Sequence, residues 1–248
     1  MALVTPSVGA VRLTFGYEMK EQGIIFSGPL ILPIQEEIKT QTRRLRNLDK
    51  INANPDHWKF GGINRDGQYI FYSTCDDPET CELKCDGTLL VKCPYGVVGG
   101  GLWVRETWQA ISPDENWRSY EECKIIYKAT DEHPGFYAPE YAEVYGLKHS
   151  SPVWDMDQVF PWKPSIHMPR WASRINLKII NIRIERLHNI SEEDAKAEGV
   201  PKIKEFVGFT LAFMELWDSI NDEPRKGGIN VSWKANPWVW ALTFKISK

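Results

Sequence analysis

Alternation of apolar and polar residues is the dominant pattern in several stretches of the chain. It places every second side chain on the same face of an extended segment, so it predicts strands that are half buried against a core. The segments 102–108 and 238–246 alternate in this way, and shorter apolar strands are predicted at 23–27 and 125–127. Strands therefore dominate the predicted fold.

One long strand, residues 174–186, changes the phase of its alternation half-way along. A change of phase in a strand whose face is buried requires one extra residue, and this predicts a β-bulge near residues 179 and 180. Bulges bend strands, as a barrel requires. The two apolar series are Ile175, Leu177 and Ile179, followed by Ile180, Ile182 and Ile184.

Three helices are predicted between the strands. The first spans residues 29–38 and contains Pro33, which should kink or shorten it. The second is short and lies between Ser191 at its N-cap and Gly199 as a plausible C-cap. The third, residues 205–221, carries large apolar side chains at helical spacing, and these are assigned to the core.

The remaining segments are polar and loop-rich. Residues 1–22 are interpreted as an N-terminal extension, and residues 23–246 as a single domain. Two loop-rich inserts interrupt that domain at about 47–95 and 112–160. Within the first insert, the Arg-Asp-Gly sequence at residues 65–67 predicts a hairpin.

Charge and hydropathy exclude some classes of function. The formal net charge of −3 provides no global basic field, which disfavours a protein that coats duplex DNA. No apolar run approaches the roughly 20 residues of a membrane span, and the first residues do not resemble a signal peptide. A cytoplasmic protein without a membrane partner is expected. The 11 Trp residues suggest stacking surfaces in addition to core packing.

Four sequence blocks, in the same order along the chain, resemble the ASCH family. The string EEIKTQTRRL, with Lys39, Thr40, Thr42 and Arg44, is similar to the family signature K-T-x-T-x-R. GGGLWVRETW resembles the family's G-D-x-L-x-V-R-E strand, ISEEDAKAEGV its acidic helix, and NPWVWALTFK its closing aromatic strand. The further strings KCPYG and WKPSIHMPRWASRI are similar to the long phage and prophage forms of the family.

This resemblance implies an α+β fold, namely a PUA-like mixed β-barrel with a few flanking helices, with a cleft beside the helix that precedes the signature. Family members are associated with RNA binding, and some small bacterial members deacetylate N4-acetylcytidine with a Lys, a Thr and a Glu. The resemblance also implies the cytoplasm of a bacterial or phage-infected host cell. One departure is Gly100-Gly101, where the family usually has Gly-Asp.

Lys39, Thr42 and Glu198 match that catalytic set and are predicted to meet in one cleft. A partly desolvated lysine beside Arg43 and Arg44 has its charged form disfavoured, so it could accept the Thr42 proton and make Thr42 the nucleophile. Glu198, at a helix C-terminus, could deliver a proton to a leaving amine. The alternative is that Lys39 and Thr42 lie at the exposed start of a strand and that Glu198 lies at a solvated helix end.

A basic and aromatic segment, WKPSIHMPRWASR, offers candidates for ligand binding. It places Lys163, His167, Arg170 and Arg174 among Trp162 and Trp171, a mixture that suits a phosphate beside a stacked base. The alternative is a proline-rich loop whose Trp rings close the end of a barrel while its cations face solvent.

The strand 102–108 offers further candidates for ligand binding. Trp103 and Arg105 share one face, and Glu106 lies on the other. Only one of the two faces can line a cleft. A buried Glu106 needs a partner, for which Arg44 is the natural candidate. That contact would serve either a ligand or a structural ion pair.

Cys75, Cys81, Cys85 and Cys93 lie within the first insert and are candidate ligands of a structural zinc ion. Zinc would stabilise a segment of low apolar content. The spacing lacks paired C-x-x-C motifs, so free thiols are the alternative, and His57 is a substitute ligand. No cofactor is required for the predicted activity.

These observations favour a protein that handles a nucleobase or nucleic acid, with an amidohydrolase of acylated cytidine-type nucleosides as the leading hypothesis. Its expected partner is a nucleoside or a single-stranded nucleic acid. Two alternatives stay open at this point. One is a non-catalytic module that binds RNA or single-stranded DNA, and the other is a phage accessory protein that acts on a host protein.

Overall fold

A computed structural model describes residues 21–74, 87–111, 124–130, 162–200 and 208–247. Within these residues the chain is an α+β protein, with most of its regular structure in strands and few helices. This confirms the predicted class. None of the described helices is long and apolar enough to cross a membrane.

The strands, in chain order, are β1 (Gln22–Ile25), β2 (Gln41–Arg44), β3 (Trp58–Ile63), β4 (Tyr69–Ser73), β5 (Thr88–Val91), β6 (Gly101–Arg105), β7 (Trp108–Ile111), β8 (Lys124–Tyr127), β9 (Asn176–Arg186) and β10 (Trp238–Ile246). The α-helices are α1 (Ile31–Gln35), α2 (Asp49–Asn52), α3 (Glu192–Ala197) and α4 (Phe209–Asn221). Short 3-10 turns occupy Gly28–Leu30, Pro55–His57, Ser165–His167, Arg170–Ala172, Leu187–Asn189 and Trp233–Ala235.

The main sheet has five strands in the order β1-β6-β9-β10-β2. β1 pairs parallel with β6, and the other neighbours pair antiparallel. The four segments predicted to share a sheet, near residues 24–27, 102–108, 175–185 and 238–246, all contribute to it. This part of the fold prediction is confirmed.

The predicted closure of the barrel is wrong for the described residues, because β1 and β2 are both edge strands with no ladder between them. A side chain spans the gap instead. The Arg44 guanidinium donates a hydrogen bond of 2.6 Å to the Ile25 carbonyl and lies 4.9 Å from the Phe26 ring. The space between the two edges is therefore filled by an arginine in place of backbone pairing.

The predicted bulge in the long strand is confirmed. Thr243 pairs with Asn181 and Phe244 pairs with Ile179, so Ile180 has no partner across the ladder. Ile179 is fully buried, whereas Ile180 is 43% exposed. The extra residue lets the apolar series on both sides of it face the same core.

The first insert is more regular than the sequence predicted, because residues 58–91 contain the antiparallel sheet β3-β4-β5. The expected hairpin is confirmed, and Gly67 adopts φ +70 in its turn. Aromatic side chains pack this sheet on the main sheet. The ring centroids of Tyr69 and Trp240 lie 4.7 Å apart, and those of Phe71 and Trp238 lie 5.1 Å apart. Strands of four to six residues beside Gly-rich turns give too short a pattern to identify from sequence.

A second core lies under α3 and α4, on the opposite face of β10, where Phe213, Trp217 and Val239 are buried together. As predicted, the Ser191 hydroxyl caps α3, accepting from the Asp194 amide at 3.1 Å. The predicted helix at 205–221 is confirmed over α4. Residues 201–207 lie outside the described residues.

Two predicted elements are shorter than expected. The strand 102–108 divides, because β6 ends at Arg105 and Trp108 starts β7, which pairs with β8 in a separate sheet. The predicted helix at 29–38 is reduced to a 3-10 turn followed by α1. Glu37 adopts φ +57, a left-handed conformation that ends the helical path before the signature begins.

Candidate functional site

A cleft of about 290 Å³ lies beside β2, the free edge of the main sheet. Residues of α4 line one side of it, and Leu30 and Tyr95 line the other. The complete lining is Leu30, Lys39, Thr42, Arg43, Arg44, Leu45, Arg46, Tyr95, Glu198, Phe213, Leu216, Trp217, Ile220, Asn221 and Arg225. Three predicted site residues, Lys39, Thr42 and Glu198, thus border the same cleft.

Lys39 is a buried cation in this cleft, with 2% of its surface exposed. Its ammonium donates to the Gln41 carbonyl at 2.9 Å, to the Glu198 carbonyl at 2.6 Å and to Glu198 Oε2 at 2.8 Å. Each of its three hydrogens therefore has an acceptor. Burial lowers the pKa of Lys39; Glu198 opposes that change, and the positive charges of Arg44 and Arg43 add to it.

Local backbone geometry brings Lys39 against Glu198. Glu198 is the C-cap of α3, and Gly199 follows it with φ +75. A Cβ at Gly199 would lie 2.7 Å from Lys39 Cβ, so any larger residue would displace the lysine. The Thr40 amide also donates to the Ala197 carbonyl at 2.9 Å, which fixes the start of β2 to the end of the helix.

Arg43 holds the second oxygen of Glu198 and joins it to two further carboxylates. Its fully buried guanidinium donates to Glu198 Oε1 at 3.1 Å, Glu185 Oε1 at 2.7 Å and Asp194 Oδ2 at 2.9 Å. It also donates to Gln41 Oε1 at 2.7 Å. A buried arginine that binds several carboxylates makes a rigid support, because its donors are fixed in one plane.

The outer backbone edge of β2 forms part of the cleft. The Phe244 amide donates to the Thr40 carbonyl at 2.8 Å, and hydrogen-bonded pairs alternate with non-hydrogen-bonded pairs in an antiparallel ladder. It follows that Thr42 directs its backbone groups toward β10, whereas Gln41 and Arg43 direct theirs away from it. The bond from Lys39 to the Gln41 carbonyl agrees with this arrangement. The amide and carbonyl of Arg43, a residue that lines the cleft, therefore point away from β10.

Thr42 is buried in the cleft wall, opposite Leu242 on β10. Its hydroxyl makes no hydrogen bond with any described residue, so it is free to contact a ligand. Arg44, the last residue of β2, lines the cleft and makes its contact with the Ile25 carbonyl.

Other predicted ligand-binding residues lie on a separate surface, which does not belong to the cleft lining. The guanidiniums of Arg105 and Arg170 lie 5.3 and 6.0 Å from the Trp103 ring. Arg105 also donates to the Ile166 carbonyl, and Arg170 forms an ion pair of 2.7 Å with Glu21.

Lys163, His167 and Trp171 also lie away from the cleft lining. The Lys163 ammonium lies 4.9 Å from the Trp108 ring, and Trp171 contacts the same ring edge-on at 5.8 Å. Trp171 is 53% exposed, and His167 is exposed in a 3-10 turn. The segment therefore packs on Trp108 while His167 and Trp171 stay exposed, and ligand binding by these residues stays a prediction.

Glu106 is buried as predicted, but the expectation that Arg44 is its partner is wrong. Arg174 binds it with two parallel hydrogen bonds of 3.0 and 2.9 Å, and the Arg174 guanidinium lies 3.9 Å from the Tyr127 ring. β6 ends before Glu106, so the carboxylate turns toward Arg174 and away from the edge that carries Arg44. The Glu106 pair is a structural clamp.

The predicted zinc site falls largely outside the described residues, since Cys75, Cys81 and Cys85 lie there. Cys93 is described, and burial raises the pKa of its thiol to about 11. Within the described ranges, no group of three His, Cys, Asp or Glu side chains could hold a metal ion. Zinc binding stays a prediction, which elemental analysis of protein purified without chelator would check.

Several functional residues were missed by sequence reasoning, and all depend on tertiary contacts. Gln41, Glu185 and Asp194 support the cleft through Arg43, and Tyr95 and Arg225 line it. The one signal in the sequence was the pair Arg43-Arg44. Neighbouring residues of a strand face opposite sides of the sheet, so one of these two arginines must face the helices.

Comparisons of the chain with protein-family models, with curated proteins and with solved structures gave no match. The cleft combines a buried amine bonded to a carboxylate, a hydroxyl that has no hydrogen-bond partner among the described residues, and the outer edge of β2.

Proposed function

We propose that this chain is an ASCH-type, PUA-like protein whose cleft hydrolyses the amide of an acylated cytidine-type nucleoside. The observation that carries the proposal is the contact of 2.8 Å between the buried Lys39 ammonium and Glu198 Oε2, in a cleft that Thr42 also lines. Buried, paired titratable groups beside a hydroxyl are the parts that acyl transfer requires.

The fold supports the family part of the proposal. The main sheet is bent by the Ile180 bulge, and its two edges are linked by the Arg44 side chain, as in a barrel that is not fully paired. The residues before the signature also border the cleft, through Leu30. This agrees with the position of the cleft that the family resemblance implies.

Acylation of Thr42 would be the first chemical step. The Lys39 proton passes to Glu198, along their hydrogen bond, and leaves a neutral amine; the lowered pKa of Lys39 favours this transfer. As Thr42 Oγ1 attacks the acyl carbonyl, its proton moves to Lys39. Glu198 then gives its proton to the departing exocyclic nitrogen, so that the C–N bond breaks and an acyl ester on Thr42 remains.

Water would complete the cycle by attacking the ester on Thr42. The Glu198 carboxylate takes a proton from the water, and the Lys39 ammonium returns its proton to Thr42 Oγ1 as the C–O bond breaks. The proton on Glu198 then returns to Lys39 along their hydrogen bond, which restores all three side chains to their initial state. The products are a carboxylic acid and a free amine. Arg43 keeps Glu198 oriented throughout, because it binds the oxygen that Lys39 does not.

The walls of the cleft suit a planar base. Leu30, Leu216 and Trp217 supply apolar surface on two sides, and the outward amide and carbonyl of Arg43 supply a donor and an acceptor between them. A base that presents an acceptor beside a donor on its edge can pair with this backbone edge. Its acylated exocyclic nitrogen would then lie toward Lys39 and Thr42.

Incubation with a panel of acylated nucleosides, read by mass, tests the proposal. We expect deacylation by the wild type and a loss of about 10²–10⁴-fold in kcat for Lys39→Met and for Glu198→Gln, as is usual when a general acid or base is removed. Lys196→Met and Glu193→Gln are matched controls, because both residues are exposed on α3 outside the cleft. The proposal fails if no panel member is cleaved, or if the cleft variants keep wild-type turnover while correctly folded.

A second candidate function is a non-catalytic module that binds single-stranded nucleic acid. The favouring observation is the Trp103 ring with Arg105 and Arg170 over it, since guanidinium planes and rings are the groups on which single-stranded bases stack. A binder that tracks several phosphates loses affinity steeply with salt, whereas a cleft that holds one nucleotide responds only weakly. Oligonucleotide affinity measured across a salt series separates the two functions.

A further inference from the structure

We propose that Arg44, Arg46, Arg225 and Tyr95 form a phosphate site at one end of the cleft, so that the natural ligand is a nucleotide. The identity of the base rests on the proposed function, whereas the anion site stands on its own observations. The proposed substrate class is a nucleoside that carries a phosphate, either as a free nucleotide or as part of a strand.

The cleft carries an excess of positive charge. Five cations line it, namely Lys39, Arg43, Arg44, Arg46 and Arg225, and Glu198 is the one carboxylate in the lining. Lys39 and Arg43 are bound to Glu198, and Arg43 also contacts Glu185 and Asp194. These two cations are therefore compensated within the protein, and the excess belongs to the other three.

The three remaining arginines have few partners in the described part of the chain. Arg44 donates to the Ile25 carbonyl, while its buried Nε has no acceptor there. The exposed Arg46 side chain makes no ion pair with a described residue. Arg225 donates weakly to the Leu45 carbonyl at 3.4 Å and pairs with the exposed Asp49 at 3.2 Å. Among the described residues, these three guanidiniums thus have one ion pair, the contact of Arg225 with the exposed Asp49.

Tyr95 lies among these guanidiniums and supplies a further donor. The residue is 8% exposed and lines the cleft, and its hydroxyl has no hydrogen-bond partner among the described residues. Burial raises the pKa of Tyr95, while the charges of Arg44, Arg46 and Arg225 oppose that change. A neutral phenol that lines the same cleft as these guanidiniums can donate to an anion and adds no repulsion.

Phosphate is the anion that this set of donors fits best. A guanidinium matches phosphate oxygens with two parallel hydrogen bonds, and a bound anion would offset the positive charge of the three arginines that line this cleft. The cleft, at about 290 Å³, is at the small end of the range for ligand sites and suits one nucleotide unit. The backbone edge of β2 lies between this end and Lys39, so a base and its phosphate can bind together.

Calorimetric titration tests the site without any turnover. The probes are cytidine, cytidine 5′-monophosphate and a short single-stranded oligonucleotide of cytidines, with inorganic phosphate against chloride in thermal unfolding at equal ionic strength. We expect the wild type to bind the monophosphate at least about tenfold more tightly than cytidine, as one charge-assisted pair commonly contributes. Phosphate should also raise its Tm.

The matched variants are Arg46→Gln and Arg225→Gln in the site and Arg65→Gln in the exposed β3-β4 turn. We expect the preference for the monophosphate to fall toward one in both site variants and in Tyr95→Phe to a lesser extent, with Arg65→Gln unchanged. Arg225→Lys, which keeps the charge, checks any variant that fails to fold and should retain part of the preference. Tighter binding of the oligonucleotide than of the monophosphate would assign the phosphate to a strand.

The inference is overturned if the wild type binds cytidine and its monophosphate equally and phosphate leaves its Tm unchanged. It is also overturned if both glutamine variants keep the full preference. Phosphate binding without hydrolysis of any acylated nucleoside would leave the anion site intact and remove the proposed activity. Hydrolysis of an acylated nucleoside without a preference for phosphate would support the proposed activity and remove the anion site.

Discussion

Several charged side chains are buried around the cleft, and each is stabilised there by a partner of opposite charge. An uncompensated buried charge costs several kcal/mol, so each member of such a network depends on the others. Arg43 is the centre of the network, because it contacts three carboxylates and the Gln41 side chain. The position of Glu198, and through it that of Lys39, therefore depends on residues that never contact a ligand.

Asp194 makes this dependence measurable through pH. Burial would raise the pKa of its carboxyl, but the Gln41 amide and the guanidiniums of Arg43 and Arg183 outweigh burial and hold the pKa below its ordinary value of 3.8. A group with a lowered folded-state pKa contributes stability above its ordinary pKa and loses it as pH falls through the folded value. Asp194→Asn should therefore reduce the free energy of unfolding at neutral pH by about 1–3 kcal/mol.

Urea unfolding of both proteins from neutral pH down to acid checks this prediction. The difference between wild type and Asp194→Asn should shrink as pH falls below about 3.8, because the wild-type carboxylate then becomes protonated. Asp222→Asn is the control, since Asp222 is exposed after α4 and forms no ion pair within the described residues. A difference that is constant at all pH values would contradict the account.

Among the elements, the long strand β9 illustrates what a sequence pattern can predict. The change of phase at residues 179 and 180 identified the bulge because both apolar series face one core. The division between β6 and β7 was not predictable in the same way. Residues 102–108 keep their alternation through the break, and the separation depends on Glu106 turning to Arg174, which is remote in sequence.

The bulge predicts different costs for two adjacent isoleucines. Ile179→Ala should lower the free energy of unfolding by about 2–5 kcal/mol, because it leaves a cavity in the core. Ile180→Ala should change it by no more than about 0.5 kcal/mol, since this side chain is the exposed extra residue. Urea unfolding of the two variants gives the comparison directly. Equal costs would mean that the bulge lies at another residue.

In the whole molecule, the cleft is assembled from segments far apart in the chain. Local patterns predicted the longer strands of the main sheet and the N-cap of α3, but the C-cap is Glu198 and not the predicted Gly199. The family resemblance singled out Lys39, Thr42 and Glu198. The support of the cleft could not be predicted, because Glu185 and Asp194 reach Arg43 only once β10 has paired with both β9 and β2 and α3 has packed on β2. The contact of Arg225 with the Leu45 carbonyl, just after β2, could not be predicted either, because it depends on the path of the chain after α4.

The central claim is that Thr42 carries out acyl transfer in this cleft. The most direct measurement compares kcat for an acylated cytidine in the wild type, in Thr42→Val and in Thr40→Val. Thr40 is the matched control, because it belongs to the same signature but does not line the cleft.

We expect the kcat of the Thr42→Val variant to be at least about 10³-fold lower than that of the wild type, because a group that acts in the transition state is removed. Thr40→Val should stay within a few-fold of wild type, with both variants unfolding as cooperatively as the wild type. Wild-type turnover in a correctly folded Thr42→Val protein would contradict the claim.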